Sequence, residues 1–193
     1  MNSINTDEDP VIRSLGELVA QPPVGFDHLV IARYALVPGP LGEVFVAFTD
    51  RGISYVRPAD QVEQDADRFA EDFRDRFGRP IERAGRPPAG LVPALRTGRA
   101  RELAFDLRGL SEFEQAVLRK ALEIPRGEVR PYAWIAREIG RPKAVRATGS
   151  ALGHNPVPIL IPCHRVVRSD GALGEYLGGP KAKHTLLAME AGR

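Results

Sequence analysis

The residues best suited to chemistry stand together near the C-terminus, where Cys163, His164 and Arg165 follow an apolar run that ends in Pro162. Cys163 is the only cysteine among the 193 residues. A nucleophilic cysteine attacks as the thiolate, and a neighbouring base or cation favours that form. An ordinary thiol has a pKa near ~8.5 and is only slightly ionised at neutral pH, so it needs a base. His164, acting directly or through a water, is the candidate base.

A Cys-His pair is a weak signal on its own. A buried cysteine packed beside a solvent-facing histidine is the more common reason for such a pair, and local cysteine motifs do not transfer between families. A cysteine hydrolase or peptidase is a second interpretation, although such enzymes usually bring the two residues from distant parts of the chain. The pair therefore needs support from its flanks before it predicts a function.

Composition restricts the class of protein. An apolar content of 43% is enough for the core of one large or two small domains. The sequence contains no apolar run of membrane-spanning length, and its acidic N-terminus is not followed by the apolar core of a secretion signal. A lone cysteine allows no internal disulfide and fits a reducing compartment, so we expect a cytoplasmic protein that does not contact membranes.

Charge is distributed unevenly although the formal net charge is only +2. Residues 1–107 contain 13 arginines against 17 acidic residues, whereas residues 108–193 contain 14 basic against 8 acidic residues. A basic C-terminal half suggests contact with a polyanion, while ordinary solvated surface charge is the simpler interpretation.

The first half of the chain predicts a small antiparallel sheet and one helix. Apolar runs separated by Gly- and Pro-containing turns predict three strands, over residues 29–36, 44–48 and 53–56. Phe69, Phe73 and Phe77 recur every four residues, which predicts a helix over 60–77 with its aromatic stripe in the core. A connection rich in Pro, Gly and Arg follows, and a further strand is predicted over 103–107.

The second half predicts helices. Ser111 and Glu114 form a capping-box pattern, which predicts a helix from there to about Glu123. Two short helices are predicted over 132–139 and 144–152, joined by a turn that contains Gly140. This arrangement fits a helix-turn-helix, although most such pairs are packed helices that do not read DNA.

Pro162-Cys163-His164-Arg165-Val166 resembles the active-site signature of the methylated-DNA–protein-cysteine methyltransferases, also called O6-alkylguanine-DNA alkyltransferases. The resemblance is dense from about Ser111 to Glu190, thinner over 40–57 and absent before Asp27. It implies an α/β (α+β) fold with an RNase H-like N-terminal antiparallel sheet and helix, followed by a mostly helical domain with a winged-helix-like helix-turn-helix. The expected divisions are an N-terminal extension, an α/β domain with its connecting loop, and a DNA-binding alkyl-acceptor domain, over 1–26, 27–108 and 109–193.

The same resemblance implies DNA repair by direct reversal. The alkyl group of guanine O6, and of thymine O4, in double-stranded DNA would move irreversibly to Cys163 after the helix-turn-helix flips the nucleotide from the minor groove. A thioether does not hydrolyse, so each molecule would react once. We expect a monomer without a cofactor, with cooperation between copies on DNA left open. A lesion-binding module with an idle thiol is the alternative within this class.

The resemblance assigns the groups around the nucleophile. It implies a relay from Glu190 through His164 and a water to Cys163, with Asn155 supporting the turn by side-chain hydrogen bonds. The spacing along the chain alone does not select Glu190 among 25 acidic residues. Some family members hold a structural zinc, but His28 is the only N-terminal histidine here and no spare cysteine exists, so we expect no metal site.

Further residues match positions of the family that contact DNA and the extruded base. Arg146 would fill the stack where the nucleotide leaves, and the small residues Ala144, Ala147 and Gly149 would let the helix approach the minor groove. Val145 is bulkier than expected at its position.

The base pocket is assigned by the same matches. Tyr132 and Tyr176 would hold the guanine, the Val166 carbonyl would accept from its amino group, and the backbone N–H of Leu177 would reach O6. The leucine side chain is unexpected at the rim, beside Gly178, and Lys183 would stabilise the loop.

Overall fold

A small sheet followed by a mainly helical half makes up residues 31–192, the part of the chain that the computed structural model describes. The sheet has the order β3-β2-β1-β4, with β1 (Ala32–Gly39), β2 (Gly42–Thr49), β3 (Gly52–Pro58) and β4 (Ile81–Arg83). The first three strands are antiparallel as predicted, and β4 runs parallel to β1. The first predicted strand ended too early, because pairing with β2 continues to Gly39. Residues 29 and 30 and the predicted extension 1–26 lie outside the described residues.

One face of the sheet is covered by α1 (Ala66–Phe77), and the contact is aromatic. Phe69 and Phe73 are buried against Tyr55, and the rings of Phe45 and Phe69 stack with their centroids 5.1 Å apart. The predicted core-facing stripe is confirmed. These aromatic side chains cover one face of the N-terminal sheet and contribute no reactive group.

The predicted start of α1 at residue 60 is wrong. Residues Ala59–Val62 form a 3₁₀ turn, and Glu63 and Gln64 then adopt φ angles of 53° and 61°, which interrupt any helix. Asp65 starts the helix instead, because its side chain accepts hydrogen bonds from the first-turn N–H groups of Asp67 and Arg68.

The connection to the second half contains β4 and a short helix, α2 (Leu91–Thr97), which ends at Gly98. The strand predicted over 103–107 does not form. Only one bridge exists there, in which the N–H of Ile53 donates to the Ala104 carbonyl at 2.9 Å. The segment then leaves the sheet at Asp106, whose buried carboxylate accepts from Thr49 and Arg108.

The second half consists of four helices and a two-stranded parallel pair. The helices are α3 (Glu112–Leu122), α4 (Tyr132–Glu138), α5 (Val145–Gly153) and α6 (Gly179–Glu190), and the strands are β5 (Arg130–Pro131) and β6 (Val166–Val167). The capping box of Ser111 and Glu114 is confirmed, and α4 and α5 match their predicted ranges within one residue. The helix α6 was not predicted.

Both halves contribute to one hydrophobic cluster, which includes Val56 of the sheet, Leu95 of α2 and Leu118 of α3. The N–H of Val56 donates to the Pro156 carbonyl at 2.8 Å, so the edge strand is bonded directly to the segment before Cys163. The mixed α+β class is thus confirmed, while the boundary near residue 108 stays a prediction. Within residues 31–192, no helix has the length and apolar character that crossing a membrane requires.

Candidate active site

The turn that presents Cys163 is tied together by Asn155. Its side-chain nitrogen donates to the Ile161 carbonyl at 3.0 Å and to the Cys163 sulfur at 3.3 Å, while its oxygen accepts from the N–H of Val157 at 2.9 Å. Asn155 is itself buried. Its three bonds fix the sulfur relative to the preceding backbone, which is the supporting role predicted for it.

The same segment contains one strained residue. Ile159 has a φ of 74°, in the left-handed region that a β-branched residue rarely adopts, and it is buried. A conformation of this kind costs about 1–3 kcal/mol and persists only where the surroundings enforce it. Pro158 and Pro162 restrict the backbone on either side, and no sequence pattern pointed to this strain.

Cys163 opens a 3₁₀ turn, Cys163–Arg165, and its side chain is only 7% exposed. Burial raises the pKa of the thiol, and the hydrogen bond from Asn155 and the charge of Lys183 oppose that rise without cancelling it. The group is therefore a thiol at neutral pH. A nucleophilic role requires a base that removes its proton during the reaction.

His164 and Glu190, far apart in the sequence, meet in the fold. Nε2 of His164 lies 2.9 Å from Oε1 of Glu190, and the two side chains are 1% and 8% exposed. Burial lowers the pKa of His164, which keeps the imidazole neutral near pH 7 even though the carboxylate favours its charged form. Burial alone would raise the pKa of Glu190, but the hydrogen bonds from His164 and Arg165 outweigh it and lower the pKa to about 2.

These charge states assign the tautomer of the histidine. An ionised carboxylate only accepts hydrogen bonds, so the proton of the neutral imidazole sits on Nε2 and Nδ1 carries a free lone pair. Nδ1 of His164 is buried and has no hydrogen-bond partner within residues 31–192. His164 therefore has a free acceptor nitrogen, and it follows the only cysteine of the sequence directly.

Arg165 belongs to the motif quoted from the sequence, but no role at the site was predicted for it. Its side chain donates through Nε to Oε2 of Glu190 at 2.9 Å and through Nη2 to Oε1 at 2.8 Å. It stands beside His164 in the sequence, and that adjacency was the one available signal. Nothing in the sequence indicates which acidic residue it binds.

Lys183 stands on α6 and is fully buried. Its Nζ donates to the Val166 carbonyl at 2.6 Å and lies 5.9 Å from the centroid of the Tyr132 ring. Burial lowers the pKa of Lys183, and the nearby Cys163 acts in the opposite direction. The Val166 carbonyl therefore accepts a hydrogen bond from lysine, and a carbonyl oxygen can accept a second one.

A cleft of about 930 Å³ opens beside the thiol. It brings together seven of the predicted site residues, namely Tyr132, Arg146, Gly149, Asn155, Cys163, Tyr176 and Leu177. Val145, Leu152, Pro158 and Arg168 complete much of the wall. His164 and Glu190 line a different cavity, of about 460 Å³, so the relay stands on the other side of the turn from the cleft.

Other predicted residues lie around this cleft without lining it. Ala147 is exposed on α5, Ala144 precedes that helix, and Gly178 precedes α6. Gly174, two residues before Tyr176, has a steric role: its φ is 69°, and a Cβ there would stand 2.8 Å from the Tyr132 hydroxyl. A side chain at position 174 would crowd the Tyr132 hydroxyl, and the positive φ favours glycine as well.

Comparison with known proteins agrees with the geometry. Residues 112–192 match the family model described as 6-O-methylguanine DNA methyltransferase, DNA binding domain. A methylated-DNA–protein-cysteine methyltransferase of Mycolicibacterium paratuberculosis is 38% identical over 157 residues, which cover 81% of this chain and 91% of that protein. The bifunctional transcriptional activator/DNA repair enzyme Ada of Escherichia coli is 36% identical, over 92% of this chain and 50% of that protein.

A solved structure supports the same likeness. The crystal structure of Mycobacterium tuberculosis OGT in complex with DNA matches with a TM-score of 0.66 and 33% identity, over 84% of this chain and 94% of that one.

Proposed function

Because this chain belongs to the methylated-DNA–protein-cysteine methyltransferase family, whose members repair DNA, we propose that it transfers alkyl groups from guanine O6 in double-stranded DNA to Cys163. The observation that supports this most is the Cys163 thiol in the cleft wall with the His164–Glu190 pair on the other side of its turn. Thymine O4 carries a comparable alkyl–oxygen bond and is the second substrate we infer.

The first step is removal of the Cys163 proton. Nδ1 of His164 takes it, directly or through a water, and the thiol becomes a thiolate. Glu190 stabilises the resulting imidazolium and does not take the proton, because hydrogen bonds hold its pKa at about 2. The relay inferred from the resemblance therefore fits these charge states.

In the transfer step, the sulfur forms a bond to the alkyl carbon while the bond between that carbon and O6 breaks. The electron pair of the broken bond stays on the purine, which then takes up one proton, so the proton lost by the thiol is balanced. The product is S-alkylcysteine at position 163. A thioether has no hydrolytic exit, so one molecule of protein removes one lesion.

Groups in the cleft wall, together with the buried Val166 carbonyl behind it, stabilise the departing guanine. The Tyr132 hydroxyl and the backbone N–H of Leu177 donate hydrogen bonds to it, and the Val166 carbonyl accepts from its amino group. Burial raises the pKa of Tyr132, so its hydroxyl keeps the proton that it donates. The ring of Tyr176, whose centroid is 6.3 Å from that of His164, covers the base.

An intact duplex keeps guanine O6 out of reach, so the nucleotide is flipped out at a cost of a few kcal/mol. Arg146 is exposed on α5 at the cleft and fills the vacated position in the base stack. Ala144, Ala147 and Gly149 keep that side of the helix narrow for the minor groove. We propose that α4 and α5 act as the helix-turn-helix of a monomer.

A stoichiometric transfer assay tests this function. The protein is incubated with a duplex that contains one O6-methylguanine, and the tryptic peptide containing Cys163 is weighed. We expect one methyl group in place of one hydrogen on that peptide, one guanine restored per protein molecule, and no transfer by the Cys163→Ala variant.

Three results would contradict the proposal. A methyl group on another residue would remove Cys163 as the acceptor, and turnover beyond one equivalent would indicate a hydrolase. Tight lesion binding without any transfer would indicate a binding module with an idle thiol.

A further inference from the structure

The side chain of Arg165, next to His164, makes more hydrogen bonds than packing alone would require. Its side chain is 4% exposed and makes four hydrogen bonds, two of them to Glu190. The other two go to backbone carbonyls: Nη1 donates to Ile124 at 2.7 Å and Nη2 to Gly98 at 2.9 Å. The two backbone carbonyls thus fix the guanidinium independently of its contact with the Glu190 carboxylate.

The Gly98 contact connects the relay to the N-terminal half of the chain. Gly98 ends α2, with a φ of 66° that favours glycine, and its carbonyl belongs to the acceptor-rich end of that helix. A Cβ at this position would lie 3.2 Å from Nη2 of Arg165 and 3.3 Å from Oε1 of Glu190. The end of α2 therefore packs directly on the ion pair that orients His164.

The Glu190 carboxylate is shared among three partners. Oε1 receives both His164 and Arg165, and Oε2 receives Arg165 together with the N–H of Gly127 at 3.4 Å. Each additional donor makes the carboxylate a weaker proton acceptor. A carboxylate bound by histidine alone would accept a stronger hydrogen bond from the ring and would favour the imidazolium, which cannot act as a base.

We propose that Arg165 is a positioning residue for the transfer reaction: braced by Gly98 and Ile124, it fixes Glu190 as an acceptor that orients His164 and leaves the imidazole neutral. The N-terminal half thereby completes the relay through the end of α2. This inference rests on the proposed function, since it assumes that His164 is the base for Cys163.

The charge state of His164 depends on a small set of neighbours. Glu190 favours the imidazolium, whereas burial and the positive charges of Arg165 and Lys183 favour the neutral ring. Cys163 and the edge-on ring of Tyr176 are the remaining titratable groups that we identify around it. Loss of the charge at position 165 removes one positive charge that disfavours the imidazolium. It also leaves Glu190 a stronger hydrogen-bond acceptor for the imidazolium. Both changes favour protonation of His164.

The test compares Arg165→Gln with Arg165→Lys in the full chain, measuring the rate of transfer to Cys163 from free O6-benzylguanine between pH 5 and 9. In Arg165→Gln we expect the fall in rate on the acidic side of the pH–rate profile, its acidic limb, to occur about one pH unit higher than in the wild type. At a given pH on that side, the rate is then about tenfold lower. Arg165→Lys keeps the charge but not the two-point contact, so we expect a lower plateau and an unmoved limb. Arg101→Gln is the matched control, because Arg101 also donates to carbonyls, those of Leu122 and Glu123, and makes no contact with Glu190.

If both Arg165 variants lower the plateau alike and neither moves the limb, Arg165 is only structural and the inference fails. If the wild-type protein itself does not alkylate Cys163, the proposed function fails instead, so the two failures are distinguishable.

A second pair of measurements keeps the inference testable if Arg165→Gln does not fold. Nitrogen NMR of the wild-type protein should find the His164 ring neutral with its proton on Nε2 at pH 7, and an imidazolium there would overturn the inference. Gly98→Ala should slow transfer several-fold without weakening binding to duplex DNA. Gly85→Ala is its control, since a Cβ at Gly85 meets nothing within 4 Å; equal rates in the two variants would contradict the role of α2.

Discussion

The two sides of the turn that carries Cys163 are built in opposite ways. On the cleft side, Arg146 is exposed on α5, and Val145 and Leu177 are 37% and 45% exposed at the rim. On the other side, His164 and Arg165 are almost completely buried and bonded to Glu190. One side of the turn is therefore open to solvent, and the polar groups of the other are bonded within the chain.

This difference separates recognition from activation. Groups that orient a base have to be in place before the substrate arrives, since reorganisation during the reaction raises the barrier. Groups that contact an extruded base find their partners only in the complex with DNA. Substitutions on the buried side should therefore change stability and reactivity together, whereas those on the cleft side should change recognition and leave stability intact.

Glu190→Gln should produce the largest effect. The amide keeps the shape of the side chain but leaves the Arg165 guanidinium buried without its counter-charge, which costs about 3–5 kcal/mol of unfolding free energy. Without its carboxylate His164 is also a weaker and less well-oriented base, so we expect transfer to slow by about a hundredfold. Chemical denaturation and single-turnover kinetics measure the two effects. The control is Glu138→Gln, whose partner Lys120 lies 3.8 Å away at the surface; an equal loss there would refute the argument from burial.

The pH dependence of stability should sharpen the same point. The pKa of Glu190 is about 2 in the folded protein against an ordinary 4.5, so its ionised form stabilises the fold above pH 4.5 by about 3 kcal/mol. This stabilisation is lost as the pH falls from 4.5 towards 2, where the folded protein also takes up the proton. The difference in unfolding free energy between wild type and Glu190→Gln should shrink over that range. A difference that stays constant down to pH 2 would show that the carboxylate charge does not stabilise the fold.

The comparison also explains what the sequence could predict. The stripe of Phe69 and Phe73 and the capping box of Ser111 were predictable because the residues involved lie within a few positions of one another. The start of α1 was predicted too early. Several acidic residues precede the helix, and the sequence did not indicate that Asp65 would be the one that caps it. Local rules thus located the elements well but their ends less well.

The buried side of the site was beyond such rules. Arg165 and Glu190 are 25 positions apart, and Gly98 is 67 positions from Arg165, so no periodicity connects them. The helix α6, which carries Glu190, has no clear apolar stripe, because Lys183 and Leu186 are its only buried residues. Only the family resemblance selected Glu190. That Arg165 binds Glu190 could be seen only from the folded structure.

On the cleft side, Arg146→Ala tests recognition. We expect repair of O6-methylguanine in duplex DNA to weaken by about 10- to 100-fold, because no planar cation fills the stack when the nucleotide leaves. The unfolding free energy should stay within about 0.5 kcal/mol of wild type, since Arg146 is exposed. Reaction with free O6-benzylguanine needs no flipping and should be unchanged.

Arg137→Ala is the control for that experiment, since Arg137 is exposed on α4 and does not line the cleft. Equal losses of Arg146→Ala on duplex DNA and on the free base would argue against a role in flipping.

The smallest effect is expected from Leu177→Ser at the rim of the cleft. The side chain is 45% exposed, so its apolar contact with a bound alkyl group is partial and contributes about 1 kcal/mol or less. We expect the rate with O6-benzylguanine to fall a few-fold relative to O6-methylguanine in the same DNA, with stability unchanged. Leu36→Ser is the control, because Leu36 is 39% exposed on β1 and does not line the cleft, and it should leave the ratio of the two rates unchanged. If Leu177→Ser leaves the ratio of the two rates unchanged, the buried walls of the cleft select the alkyl group and its exposed rim does not. Recognition would then depend on buried residues as well as on exposed ones, which would contradict the separation drawn above.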